Sequence, residues 1–235
     1  MNRRRFLEQT CAAGAAGLPL AALSAMAAPG RPRAYGQTLL VGANGRPLRA
    51  SRLKPHVNYL FHYPYAATPV FLLDLGKALA GHSLSTGERS TVYHWPGGSG
   101  RRHSVVAYSA ICPYRLVYPS AEVSLISYRP DRALRGVQNG LIHCCTDHCQ
   151  FDPAQGAAVL AGPAQQPLVG VMLSHDPASD TRTADATLGA ELFDEVFDTF
   201  SGQRQARYGA GWRARVSGPA RVWELSAYSR NSVRC

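Results

Sequence analysis

Almost every apolar run in this chain is short and is closed by glycine or proline. The runs at 39–41, at 104–111 and at 167–175, and the two that flank Tyr63-Pro64-Tyr65-Ala66-Ala67-Thr68-Pro69 within 57–75, are of strand length rather than helix length. With 22 glycines and 16 prolines in 235 residues, a helix bundle is disfavoured and a turn-rich β fold is expected. No uncharged run is long enough for a multi-pass membrane protein. Hydrophobic residues make up 46% and charged residues 17%, the balance of a globular chain and not of a disordered one. The glycine-containing stretch 81–102 reads as a long surface loop, and 113–140 as a loop-rich insertion with a β-prone segment at 123–128. No internal repeat is visible.

One segment breaks the β pattern. Within 190–200, Leu192, Phe193, Val196, Phe197 and Phe200 share one side at helical spacing, while Glu191, Asp194, Glu195 and Asp198 share the other, which predicts an amphipathic helix. A basic tail follows with Arg204, Arg207, Arg213, Arg215 and Arg221; with Trp212 and Trp223 interleaved it is either a solvated surface or a docking face for an acidic partner. The net charge is +10, and only Lys54 and Lys77 of the 25 basic residues are lysines. Those charges are scattered and match no zinc-finger, RNA-recognition or helix-turn-helix pattern, so nucleic acid is not the expected partner.

Residues 1–28 read as an export signal. Arg3, Arg4 and Arg5 are followed by Phe6-Leu7, then by an Ala/Gly/Leu run and the small-residue site Ala25-Met26-Ala27. The Arg4-Arg5 pair is of the twin-arginine type, and Gly14, Gly17 and Pro19 dilute the apolar run as a permanent anchor. A periplasmic, oxidising location is therefore expected, with membrane attachment only if the signal is retained. Removal of the signal takes Cys11 away and leaves Cys112, Cys144, Cys145, Cys149 and Cys235, too few for a disulfide-built scaffold.

His143-Cys144-Cys145-Thr146-Asp147-His148-Cys149 places three thiols and two imidazoles within seven residues, the ligand types of zinc, copper and iron–sulfur centres. Cys145 and His148 have the C-x-x-H spacing that a tight turn aims at one centre. The other histidines, His56, His62, His82, His94, His103 and His175, are dispersed at no ligand spacing. No G-x-S-x-G or H-E-x-x-H is present to support hydrolase chemistry.

Ala107-Tyr108-Ser109-Ala110-Ile111-Cys112-Pro113-Tyr114, then Cys144 to His148, Phe151-Asp152, Gly156 and Gly162-Pro163-Ala164-x-x-Pro167-Leu168 together resemble the Rieske iron–sulfur family, on the pattern of arsenite oxidase small subunits. The resemblance implies an all-β, Rieske-like antiparallel sandwich or barrel over 52–190, carrying a subdomain of two ligand loops. Residues 29–51 would be an N-terminal arm, and 191–235 a short helix and tail outside the likeness. It also implies a 2Fe–2S cofactor, a large molybdenum-type redox subunit as partner, and electron relay to a cytochrome c or copper protein.

The sequence departs from that pattern where the metal would sit. A Rieske pair needs two cysteines on one iron and two histidines on the other. The first loop here reads Cys112-Pro113-Tyr114, with a phenol where the family has an imidazole, and the cysteine that usually braces that loop is missing. In the second loop, C-x-x-H spacing selects Cys145 and His148; counting back from Phe151-Asp152 selects Cys144 and puts Asp147 in the histidine position. Three readings follow. The fold has lost its cluster, with Cys112 joined to Cys144 or Cys145 by a disulfide and a structural, partner-docking role remaining. A 2Fe–2S cluster persists on Cys112, Tyr114, Cys145 and His148, and the chain transfers electrons. Or Cys112, Cys145 and His148 hold zinc or copper. Cys149 and Cys235 are either a structural disulfide or free thiols.

Overall fold

The computed structural model describes residues 30–87, 91–130 and 140–235; the export signal read at 1–28 lies outside them. The strands follow in the order β1 (Arg33–Val41), β2 (Tyr59–His62), β3 (Pro69–Asp74), β4 (Ala80–Thr86), β5 (Thr91–Gly97), β6 (Val105–Ser109), β7 (Val123–Ser124) and β8 (Ile126–Arg129). After these come β9 (Leu141–Cys144), β10 (Cys149–Asp152), β11 (Ala158–Ala161), β12 (Gly170–Asp176) and β13 (Thr181–Leu188). Two helices, α1 (Phe193–Thr199) and α2 (Ser201–Tyr208), precede β14 (Ala220–Arg221), β15 (Trp223–Glu224), α3 (Leu225–Tyr228) and β16 (Asn231–Ser232).

Eight strands form one sheet, β14-β1-β13-β12-β6-β3-β2-β15, nearly closed into a barrel and antiparallel at every pair but β1–β14. Its centre is buried on both faces, which explains the unbroken apolar runs of β3 and β6. Side chains alternate across the pleat. Phe71 and Leu73 of β3, with Val106 and Tyr108 of β6, enter one core; Val70 and Leu72, with Val105 and Ala107, enter the other. The first of these cores continues into a four-stranded antiparallel sheet, β11-β10-β9-β8, through Ile126, Ile142 and Phe151. The buried Tyr108 hydroxyl donates to the Pro153 carbonyl at 2.8 Å and ties the two sheets together. The candidate site therefore rests on a single hydrophobic core shared by barrel and subdomain.

The structure sharpens three expectations. The stretch read as an N-terminal arm carries β1, which pairs with β13 inside the large sheet and buries Tyr35, Leu40 and Val41. The stretch 81–102 is largely a hairpin, with β4 and β5 paired from Ala80↔Gly97 to Thr86↔Thr91. Glycine there marks close strand approach: Gly97 has φ +90°, and a Cβ on it would stand 2.4 Å from the Leu79 carbonyl. The expected helix at 190–200 forms over Phe193–Thr199 and is followed by α2. It buries Phe193, Val196 and Phe197 against Ala67, Ile111 and Val169, and keeps Asp194 and Glu195 at its positive end. No helix among the described residues is long and apolar enough to cross a membrane.

Candidate functional site

Two loops and the start of a third meet at the end of the subdomain. The first leaves β6 through Ser109-Ala110-Ile111 and turns at Cys112, whose backbone N–H donates to Val117 O (2.8 Å) and whose carbonyl accepts from Leu116 N (2.9 Å). The second is the turn between β9 and β10, in which Cys144 and Cys149 stand directly opposite each other. The third follows β11 at Gly162, where φ is +88° and a Cβ would lie 2.6 Å from Cys149 Cα. Only glycine lets this loop sit so close to β10.

Cys112, Cys144 and Cys149 are free, fully buried, and part of the same core. Their sulfurs are neighbours. The Cys112 and Cys144 thiols are hydrogen-bonded to each other, and Cys112 also contacts Cys149. Backbone N–H groups from all three loops point at the sulfurs: Tyr114 at Cys112, Thr146 and Asp147 at Cys144, and Ala164 at Cys149. The bond from Cys112, reinforced by the two loop amides against the cost of burial, brings Cys144 down to about 7. The same bond and burial push Cys112 well above the ordinary thiol range. Cys149 is raised by burial.

Cys145 lies outside this group. It forms a disulfide with Cys235, Cα–Cα 5.5 Å, across 90 residues of sequence. Arg129, itself buried, donates to the Cys235 carbonyl (2.8 Å), to the Val233 carbonyl (3.0 Å) and to Cys145 Sγ (2.9 Å). The anticipated bond from Cys112 to Cys144 or Cys145 is absent, as is one between Cys149 and Cys235. The reason is the path of the chain. Cys144 and Cys149 end paired strands and turn into the core, whereas Cys145 begins the turn. There it meets the segment after β16, which runs parallel to β7.

The two candidate ligands beyond the cysteines are not brought to the thiols. Tyr114 is 46% exposed, with Arg115 stacked over its ring at 5.7 Å. His148 is exposed at φ +54°. The residue that turns inward is Asp147: Oδ1 pairs with Arg115 Nε at 3.1 Å, while Oδ2 is buried without a hydrogen-bond partner. In the second loop the inward-turned residues are thus Cys144 and Asp147, while Cys145 is in the disulfide and His148 is exposed. His143 projects from the opposite face of β9 to Cys144. Among the described residues no group of three or more His, Cys, Asp and Glu side chains is arranged to hold a metal ion. Sequence reasoning passed over Arg115 and Arg129, for which no motif gave a signal.

No protein-family model matches the chain. Among solved structures, it is similar to the soluble domain of Rieske protein II from Sulfolobus acidocaldarius, at 22% identity and a TM-score of 0.42, over 57% of this chain and 71% of that one.

A 2Fe–2S Rieske pair does not fit the residues present. Cys112 and Cys144 supply two adjacent sulfurs, but no imidazole reaches them, and the inward residue is a carboxylate engaged with an arginine.

Proposed function

We propose that this chain is an exported, Rieske-like subunit of a periplasmic redox complex, one that has lost the iron–sulfur pair and serves to brace and dock its partner. The observation that carries the reading is the ligand geometry: two sulfurs persist side by side, while the phenol of Tyr114 and the imidazole of His148 face solvent and Cys145 is consumed in a disulfide. The loop amides still aimed at sulfur are what a cluster-binding ancestor would leave behind. A large molybdenum-type subunit is the proposed partner, on the sequence resemblance alone, with α1, α2 and the arginine-rich tail extending the contact. Exposed Arg213, which stacks over Trp212 at 4.7 Å, is an anchor of the type favoured at interfaces.

Iron and acid-labile sulfide assays on the full-length protein, purified with whatever partner accompanies it, test the proposal. Colourless protein free of both is the expected result. Stoichiometric iron and sulfide in this chain would instead establish an electron-transfer subunit, and zinc or copper without sulfide a separate metal-binding protein.

A further inference from the structure

The segment after α3 closes a cavity of about 270 Å³ against β8, the outer strand of the four-stranded sheet. Its walls come from three places: His56 and Val57 ahead of β2, Ser127 and Arg129 on β8, and Ser232 and Arg234 near the end of the chain. These walls are fixed before anything binds. Asn58 Nδ2 donates to the Tyr128 carbonyl (2.8 Å) and its Oδ1 accepts from the Tyr128 N–H (2.7 Å), which clamps the open edge of β8. On the other side Arg129 donates to the Val233 and Cys235 carbonyls, and the Cys145–Cys235 disulfide holds the same segment.

The charge in this cavity is unbalanced. Arg129 and Arg234 both line it, and no aspartate or glutamate stands among its described lining residues. Arg129 is 5% exposed, and its Nε is buried with no hydrogen-bond partner, a costly state for a donor on a charged group. Burial and the nearby charge of Arg234 both disfavour the Arg129 cation. A carboxylate at Cys235, whose carbonyl Arg129 already holds, would balance one of the two guanidiniums and not both. We propose that this cavity binds a small organic anion, whose carboxylate or phosphate group takes the unused Nε of Arg129 and the guanidinium of Arg234 while its apolar body lies against Val57 and Leu225. Ser127 and Ser232 line the same space and add hydroxyl donors. The volume lies just under the range of about 300–1,000 Å³ that drug-sized ligands fill, so a small acid fits and a dinucleotide does not. The site uses none of the three free thiols, so it stands or falls independently of the loss of the cluster.

Isothermal titration calorimetry of the full-length protein tests this with three probes: phenyl phosphate, benzoate and, as the uncharged control, benzyl alcohol. At least one anion should bind at a single site per chain in the millimolar range or tighter, and the alcohol should not bind. Whichever anion binds more tightly identifies the acid group the site takes. Arg129→Lys keeps the charge but removes the Nε donor, and Arg234→Gln removes the second charge. Each should weaken the preferred anion by about tenfold or more, the loss expected for a charge-assisted hydrogen bond. Arg234 is exposed, so Arg234→Gln remains a folded test even where Arg129→Lys does not fold. Heat from neither anion would overturn the proposal. So would benzyl alcohol binding as tightly as the anions, or anion binding that Arg234→Gln and Arg129→Lys both leave unchanged.

Discussion

His62 sits beneath Tyr208, Tyr228 and Trp223, with its Nε2 within 3.3 Å of the Tyr208 hydroxyl and 3.4 Å of the Tyr228 hydroxyl. Burial, with the positive charges of Arg204 and Arg207 nearby, pushes the imidazole down to about 3. An unfolded histidine titrates near 6.5, so below that pH the unfolded chain binds a proton that the folded one refuses. Folding stability from this group is therefore full above about 6.5 and is lost as pH falls toward 3, at a limiting slope of about 1.4 kcal/mol per pH unit. His62→Gln should flatten that part of the pH profile; urea unfolding of both proteins at pH 7 and pH 4.5 checks it, and identical slopes would contradict it. Nothing in the sequence marked this residue, because its neighbours come from α2, β15 and α3, far away in the chain. Arg204 is the parallel case. Read as part of a basic tail, it is 1% exposed, with its guanidinium 3.6 Å from the centre of the Tyr118 ring and hydrogen-bonded to the Ala67 carbonyl.

The elements legible in the sequence are those whose patterning is local. The strands β2, β3 and β6 and the helix α1 announce themselves by apolar runs or by 3.6-residue spacing. The β4–β5 hairpin was hidden by its glycines, although Val92 out, Tyr93 in, His94 out and Trp95 in is the alternation of a half-buried strand. Two-residue strands such as β14, β15 and β16 have no pattern of their own and exist only by pairing with distant partners. β16 bears on the site, because the disulfide after it pins the second loop. Its removal by Cys235→Ser opens a covalent loop spanning a separation of 90 residues and should cost about 2–4 kcal/mol. Urea midpoints with and without reductant measure this: reductant should lower the wild-type midpoint to that of the variant and leave the variant unchanged. Equal midpoints for the two oxidised proteins would show that the bond contributes nothing.

At the scale of the whole molecule, the barrel and its subdomain share one core, and the thiols are part of it. That placement is what the proposed loss of a cluster requires, a fold that does not depend on a metal for its packing. Cys112, Cys144 and Cys149 are packed as small apolar side chains among Ile126, Ile142 and Phe151, so the architecture has its own hydrophobic support. The resemblance in the sequence pointed to the two loops that carry Cys112 and Cys144, and counting back from Phe151-Asp152 pointed to the two second-loop residues that turn inward. The sequence could not show which second-loop residues turn inward, since Cys145 is drawn away to Cys235, a contact between segments with no common motif. Electron paramagnetic resonance of the dithionite-reduced full-length protein, isolated from its native host, tests the loss of the cluster most directly. A silent spectrum is predicted, and an ordinary reduced Rieske signal arising from this polypeptide would contradict it.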